Sequence, residues 1–252
     1  MRKRMSSLLL NCDLGESFGA WTMGMDEAVM PHIDQANIAC GFHAGDHLVI
    51  QRTLRLAAHY GVMVGAHPGY PDLAGFGRRS ISHTPDDIMA LMHYQISALD
   101  GMAKSQGLEM QYVKPHGALY NDMMADKGIL ETVMQAVSSY AKPLKLMLLA
   151  TNEQATHLAM AEKYNLPLLF EAFADRLYTN EGRLTPRSEP NAVHDKPTLM
   201  AQVEQLLTQG TVTTGSGSTL ELRADTLCVH GDNEASIALV KEIKQLIDKE
   251  VQ

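Results

Sequence analysis

Cysteine is scarce in this chain, three residues in 252, and tryptophan occurs once. Three thiols cannot all pair, and so low a density excludes a disulfide-stapled scaffold. It predicts a protein of a reducing compartment, the cytoplasm. Long hydrophobic runs are lacking as well. The basic start Met1-Arg2-Lys3-Arg4-Met5 continues only into Leu8-Leu9-Leu10 before Asn11. A secretory leader needs roughly 7 to 15 apolar residues there and a membrane span about 20, so neither is expected. Runs of Lys and Arg are missing, and a formal net charge of -8 offers nucleic acid no electrostatic footprint. Phosphate-cradling loops are missing too: there is no Gly-x-x-x-x-Gly-Lys-Ser/Thr and no Gly-x-Gly-x-x-Gly after a strand. Gly215-Ser216-Gly217-Ser218 lacks the lysine and reads as a turn.

What is present is an ordinary globular composition, 45% hydrophobic and 20% charged, in a chain long enough for a packed core. Short apolar runs alternate with helix-period stretches, the pattern of βα units around a parallel sheet. The expected strands are Ser7–Cys12, Gln35–Cys40, Val62–Ala66, Gln111–Lys114, Lys145–Ala150, Leu168–Phe173 and Thr226–His230. Thr84-Pro85-Asp86-Asp87 opens a helix whose stripe is Ile88, Leu91, Met92, Gln95, Ile96 and Leu99. Thr151-Asn152-Glu153-Gln154 fits a capping box, and Asn233 opens the last helix. That helix should bury Ile237, Leu239, Val240, Ile243, Leu246 and Ile247, while Gly61 and Gly107 serve as left-handed caps. A β-hairpin is expected near 211–222. With no linker, repeat or composition break, one domain over residues 1–252 is the simpler organisation.

The strand ends carry the chemistry. Loops after the C-termini of parallel strands build active sites. Here they hold Asn11, Asp13 and Glu16; Asn37, His43 and Asp46; His67; Lys114 and His116; Glu171, Asp175 and Arg176; His230 and Asp232. A single such residue is commonly a structural hydrogen-bonder or a helix N-cap, and Asp46 and Asp232 fit that role equally well. Six of seven strands converging on polar groups points to a functional ring, because burying them unpaired costs free energy. Gly41, Gly45, Gly65, Gly117 and Gly231 beside them would admit tight turns or a close ligand. Without an obvious nucleophilic Ser or Cys, the ring suits activation of water by acid–base catalysis or by a metal. Asp13, His43, His67, His116 and His230 offer a nitrogen and oxygen donor set for a divalent cation. Cys40 and Cys228 lie in apolar runs and read as small core residues.

The motif order resembles the LamB/YcsF family over essentially the whole chain from Leu8. The resemblance rests on Leu10–Glu16, Ala36–Asp46, Gly65–Pro68, Val113–Asn121, Phe173–Arg176 and Cys228–Asp232. Departures are Cys12 where Ala is common, Leu177 after Asp-Arg where Gly is common, and Asn191 where Gly is frequent. The last two bear on the loop Ala174–Asp195. The resemblance implies a seven-stranded β/α barrel like that of polysaccharide deacetylases. It also implies the 5-oxoprolinase reaction, ATP-dependent opening of 5-oxo-L-proline to L-glutamate, with partner subunits B and C. On that reading ATP is a cosubstrate and a divalent metal accompanies it or sits in the ring. Asp13 or Glu16 would be the base and His67 or His116 the acid. Lys114 and Arg176 would meet carboxylate or phosphate charge, and Asn11, Asn37, His43, Glu171, Asp175 and His230 would contact substrate. The competing expectations are a non-catalytic oxoproline-binding subunit or a stand-alone metal-dependent amide hydrolase. Among the sixteen methionines, Met23, Met25 and Met30 flank Trp21 and could form a partner contact or pack a loop.

Overall fold

The computed structural model describes residues 8–231 and 233–250. The basic segment Met1–Met5, Ser7 of the first expected strand, and Asp232 lie outside the described residues. Along the chain the strands are β1 (Leu9–Leu14), β2 (Gln35–Ala39), β3 (Met63–His67), β4 (Met110–Val113), β5 (Lys145–Leu149) and β6 (Leu168–Phe173). A short pair follows, β7 (Thr211–Thr213) and β8 (Thr219–Glu221), and then β9 (Thr226–Val229). The helices are α1 (Asp26–Val29), α2 (His47–Tyr60), α3 (Pro85–Ser105), α4 (Gly117–Ala125), α5 (Lys127–Ser138), α6 (Gln154–Glu162), α7 (Lys196–Gln209) and α8 (Glu234–Glu250). Strands β1 to β6 and β9 close an all-parallel barrel, with β9 pairing both β6 and β1. This is the seven-stranded β/α barrel expected.

The two faces of each strand take opposite tasks. Side chains alternate across a strand. In β1 the even positions Leu10, Cys12 and Leu14 join the apolar core, as do Ala36 and Ile38 of β2 and Val64 and Ala66 of β3. The helices cover that outer wall, α2 on β2 and β3, α3 on β3 and β4, α5 on β5. The odd positions Asn11, Asp13 and Asn37 turn inward, where they bond to one another. The apolar core therefore surrounds the barrel, and the lumen is left for polar groups.

Local signals place the helices. Thr84 and Asp87 form a reciprocal capping box at α3, and the whole expected stripe from Ile88 to Leu99 is buried. Asp46 caps α2 by accepting from the Leu48 and Val49 N–H groups, so its N-cap role holds. Asn233 accepts from the Ser236 N–H at the start of α8. Ile237, Val240, Ile243 and Ile247 of α8 are buried, each worth about 1.5–3 kcal/mol, whereas Leu239 and Leu246 are only partly covered.

Two expectations need correction. Thr151–Gln154 makes no capping box: Thr151 Oγ1 accepts from the Glu153 N–H at 3.1 Å in a local turn, and α6 begins at Gln154 without a side-chain cap. Strand β1 runs on to Leu14 because the ladder continues through Asp13–Asn37 and Leu14–Ile38. The hairpin β7–β8 is present and grips the loop after β6, Gly215 donating to the Tyr178 carbonyl at 2.9 Å. In that loop Asn191 takes a left-handed φ of 61°, as its glycine-like position requires, while Leu177 does not.

Candidate active site

The floor of the site is one hydrogen-bonded layer across the lumen. Register sets Asp13 beside Asn37, Asn37 beside Gly65, and Gly65 beside Tyr112. Glycine is required at 65, since a Cβ there would stand 2.2 Å from the Tyr112 ring. The ring crosses that gap, and its hydroxyl donates to Asn37 Oδ1 at 2.7 Å. The Asp13 carboxylate, which only accepts, settles which end of the amide is which. Asn37 Nδ2 then donates to Asn11 Oδ1 at 2.8 Å and to Asp13 Oδ1 at 2.7 Å. Asn11 Nδ2 donates onward to Thr226 Oγ1 at 3.0 Å. Asn11 and Asn37 are fully buried, so they orient their neighbours and do not reach a ligand at the mouth.

Lys114 stands in the middle of this layer. Its Nζ lies 2.9 Å from Asp13 Oδ1, 3.0 Å from Glu171 Oε2, 3.3 Å from Asn11 Oδ1 and 3.4 Å from Cys228 Sγ. Burial alone would strip the ammonium of its proton. The negative groups around it, Asp13 first, outweigh that and raise its pKa well above the usual lysine value. The same balance works in reverse on Asp13: burial pushes its carboxyl up, but His67, in its charged form, and Lys114 hold it well below the usual carboxylate range. With its ammonium already engaged by two carboxylates, Lys114 is a charge anchor, not the free cation expected for substrate carboxylate or phosphate.

Above the layer sit three imidazoles and Glu16. His67 Nδ1 is 2.7 Å from the Lys114 carbonyl, and His116 Nε2 is 2.8 Å from the Phe76 carbonyl. Each ring therefore donates its N–H into the protein wall, which leaves neither neutral ring an N–H for a leaving group. An acid role for either ring would therefore fall to its protonated form. His43 stacks on His116 at 3.6 Å between centroids and 4° between planes, and its Nε2 lies 3.2 Å from Glu16 Oε1. Burial drives the pKa of His43 well below the usual value and that of His116 down to about 2. The loop 72–79 closes over these rings, drawn in by the Asp72–Arg79 ion pair. A Cβ at Gly77 would lie 2.7 Å from His43 Cβ, and Phe76 adopts φ 54° to aim its carbonyl at His116.

The remaining ring residues stand apart from this cluster. His230 Nε2 lies 3.7 Å from Asp175 Oδ2, beside a cavity of about 200 Å³ between the barrel wall and α7 and α8. His230 is thus not among the grouped metal donors, which are Glu16, His43, His67 and His116, all with ligand atoms within 4.8 Å of one another. Those four could hold a metal ion. Arg176 donates to the Thr185 carbonyl at 2.6 Å and to the Ala192 carbonyl at 3.3 Å, bracing the loop after β6. Its position gives no support to a phosphate-binding role, and it pairs with neither Asp175 nor Glu171. The three cysteines are buried and form no disulfide, and burial pushes the Cys12 and Cys228 thiols well up and that of Cys40 to about 12. None is a nucleophile. Trp21, Met23 and Met25 are exposed, whereas Met30 belongs to the core.

Sequence reasoning missed Tyr112, Thr226 and Phe76. An alternation of polar and apolar residues along β1 signals the inward positions. Nothing in the sequence signals that a backbone carbonyl at 76 fixes His116.

The family model described as LamB/YcsF matches residues 8–252. The chain belongs to the LamB/YcsF family. It is 54% identical over 242 residues to the second of the 5-oxoprolinase A subunits of Pseudomonas putida, covering 96% of this chain and 94% of that one. It is 55% identical over 241 residues to the 5-oxoprolinase A subunit of Vibrio vulnificus, covering 95% and 97%. Among solved structures, a lactam utilization protein from Thermus thermophilus superposes with a TM-score of 0.89 at 36% identity, with 97% of each chain covered. A putative cellobiose-phosphate cleavage protein from Enterococcus faecalis shares the fold alone, at a TM-score of 0.57 and 11% identity. The Asp13, His67, Lys114 and His116 cluster thus sits in a LamB/YcsF barrel.

Proposed function

We propose that this chain is the ring-opening subunit of an ATP-dependent 5-oxoprolinase, converting 5-oxo-L-proline to L-glutamate together with partner subunits B and C. The names of its relatives support the substrate class and a multisubunit assembly. A cytoplasmic location fits three cysteines free of disulfides, and none of the described helices is long and apolar enough to cross a membrane.

The observation that carries the chemistry is the state of Asp13. One of its oxygens is pinned by Asn37 and Lys114, while Oδ2 faces His67 Nε2 at 3.4 Å, with the side chain 22% exposed. It is an ionised, oriented carboxylate whose second oxygen lies against His67 at the mouth of a buried cluster. A five-membered lactam is a stabilised amide. Transfer of the ATP γ-phosphoryl group to its oxygen makes the ring carbon electrophilic and releases ADP. Water adds to that carbon and loses its proton to Asp13. The C–N bond breaks as the hydroxyl of the adduct becomes the new carbonyl; the ring nitrogen takes the hydroxyl proton and the one held by Asp13, leaving as an ammonium group, and an acyl phosphate remains. A second water cleaves it to glutamate and phosphate. Lys114 favours the anionic form of Asp13 before the proton is taken and after it is returned, and the Tyr112–Asn37 bond holds its orientation. Glu16, His67 and His116 bring donor atoms together for a divalent cation, which when bound supplies Lewis-acid polarisation and a lowered water pKa.

The test is glutamate release from 5-oxoproline by the purified chain, with and without the partner subunits and ATP. Release only with all of them establishes the reading. Release by the chain alone without ATP makes it a stand-alone amide hydrolase. Unchanged turnover with altered affinity in Asp13 variants makes it a binding subunit.

A further inference from the structure

The His67–His116 contact cannot be an ordinary hydrogen bond between neutral rings. A carbonyl oxygen only accepts, so His67 carries its proton on Nδ1, facing the Lys114 carbonyl at 2.7 Å, and His116 carries its proton on Nε2, facing the Phe76 carbonyl at 2.8 Å. The two remaining nitrogens, His67 Nε2 and His116 Nδ1, then point lone pair at lone pair across 3.0 Å. That arrangement is repulsive unless something electron-poor lies against both.

A carboxylate flanks each ring of this pair. Glu16 Oε1 is 3.6 Å from His116 Nδ1, and Asp13 Oδ2 is 3.4 Å from His67 Nε2. Formally, Asp13, Glu16 and Glu171 set three negative charges against the one ammonium of Lys114, so a dication would balance the cluster. The surroundings match how metal-ligating imidazoles are held elsewhere: the far N–H goes to a backbone carbonyl, and ligating carboxylates are themselves hydrogen-bonded. His43 fills the last of these positions. Its ring is fully buried, it stacks on His116, and its Nε2 is placed to donate to Glu16. Although it falls in the same cluster, it is an outer ring and not a ligand. Two imidazole nitrogens with one carboxylate suit zinc and its first-row neighbours better than magnesium or calcium, which prefer oxygen alone. At about 2.0–2.1 Å per bond, nitrogens about 3 Å apart subtend roughly a right angle at a shared ion, an ordinary cis arrangement.

We propose that His67 Nε2, His116 Nδ1 and the Glu16 carboxylate form a site for one divalent first-row transition cation, zinc in the first instance, with Asp13 left beside it as the base, and that His43 positions Glu16 and His116 around it. This deepens the reading of the same site but does not depend on the lactam, because binding is measured without substrate.

The experiment uses the full chain without a histidine tag, stripped by dialysis against a chelator and titrated with Co²⁺ while its visible d–d absorption is followed. The expected result is saturation at one equivalent and displacement by Zn²⁺. His67→Ala should lower the affinity at least ~100-fold, Glu16→Gln ~10- to 100-fold, and His43→Gln about 10-fold. Circular dichroism checks that each variant is folded; Glu16→Gln, at a partly exposed position, serves if the His67 variant is not. No saturable absorption, or saturation unchanged in a folded Glu16→Gln variant, overturns the site. So does ¹⁵N NMR showing a proton retained between the two rings in the presence of excess Zn²⁺. A chain that binds Co²⁺ stoichiometrically but releases no glutamate with its partners keeps the site and loses the oxoprolinase reading.

Discussion

The two sides of the barrel mouth carry similar residues bonded to very different degrees. On the side of β1 to β4, Asn11, Asp13, Asn37, Tyr112 and Lys114 form one continuous network with bonds of 2.7–3.3 Å. On the side of β6 and β9, the nearest approach of His230 to Asp175 is 3.7 Å, and Asp175 Oδ1 and His230 Nε2 are buried without a hydrogen-bond partner among the described residues. A saturated network resists rearrangement and fixes geometry before a substrate arrives. An under-bonded pair has hydrogen-bonding capacity to give to a ligand. The two sides divide accordingly: the network around Asp13 holds its geometry, and Asp175 and His230 keep hydrogen-bonding capacity to spare.

The strongest way to break this comparison is Asp13→Asn. It keeps the shape of the network and removes the charge, so turnover in the assembled enzyme should fall about a thousandfold. A fall of less than tenfold would show that the saturated side is scaffold only. Next comes Gly65→Ala, which forces a methyl group into the Tyr112 ring. Urea denaturation should show a loss of about 1–3 kcal/mol, since overpacking of this kind costs that much. Tyr112→Phe, which removes only the hydroxyl, should lose about 1 kcal/mol.

Acidity sharpens the same side. His43 and His116 are held neutral in the folded protein, with pKa values depressed by burial, whereas in the unfolded chain they take up protons below the ordinary value of 6.5. The unfolded state then binds more protons, so stability rises with pH and is lost as pH falls below 6.5. In metal-free protein the loss should reach up to about 1.4 kcal/mol per pH unit for each ring, and His43→Gln should reduce the slope by one ring's share. The smallest stability change belongs to the other side. Asp175→Asn should shift stability by less than about 0.5 kcal/mol yet raise KM for the lactam several-fold with kcat nearly unchanged. A large stability loss there would erase the distinction between the two sides.

Much of this was legible in the residues because a parallel barrel is a periodic object. Apolar runs spaced by amphipathic helices gave seven strands at nearly their observed places, and polar residues at their C-terminal ends marked the mouth. The family motifs added the reaction, which no periodicity contains. The missed features are those that depend on contacts across the lumen or on loop direction. Gly65 looks like room for a ligand, but only the register with β4 shows that it makes room for Tyr112. Arg176 follows an acidic residue at a strand end, but the loop beyond it curls back and presents carbonyls to the guanidinium. His67 and His116 look like acids, but only the Lys114 and Phe76 carbonyls show where their protons are.

The closure of the barrel has a consequence for how the molecule comes into being. Strand β1 pairs with β9, and Asn11 bonds to Thr226 across 215 positions of chain. During synthesis, β1 must therefore leave the ribosome with one edge open and wait until some two hundred further residues have emerged. Until then Asn11 has no Thr226 to hold it, and Lys114 has no Cys228 beside it. A nascent or truncated chain that stops short of β9 should therefore show most of the helices while β1 stays open on one edge and the Asn11–Thr226 anchor is unmade.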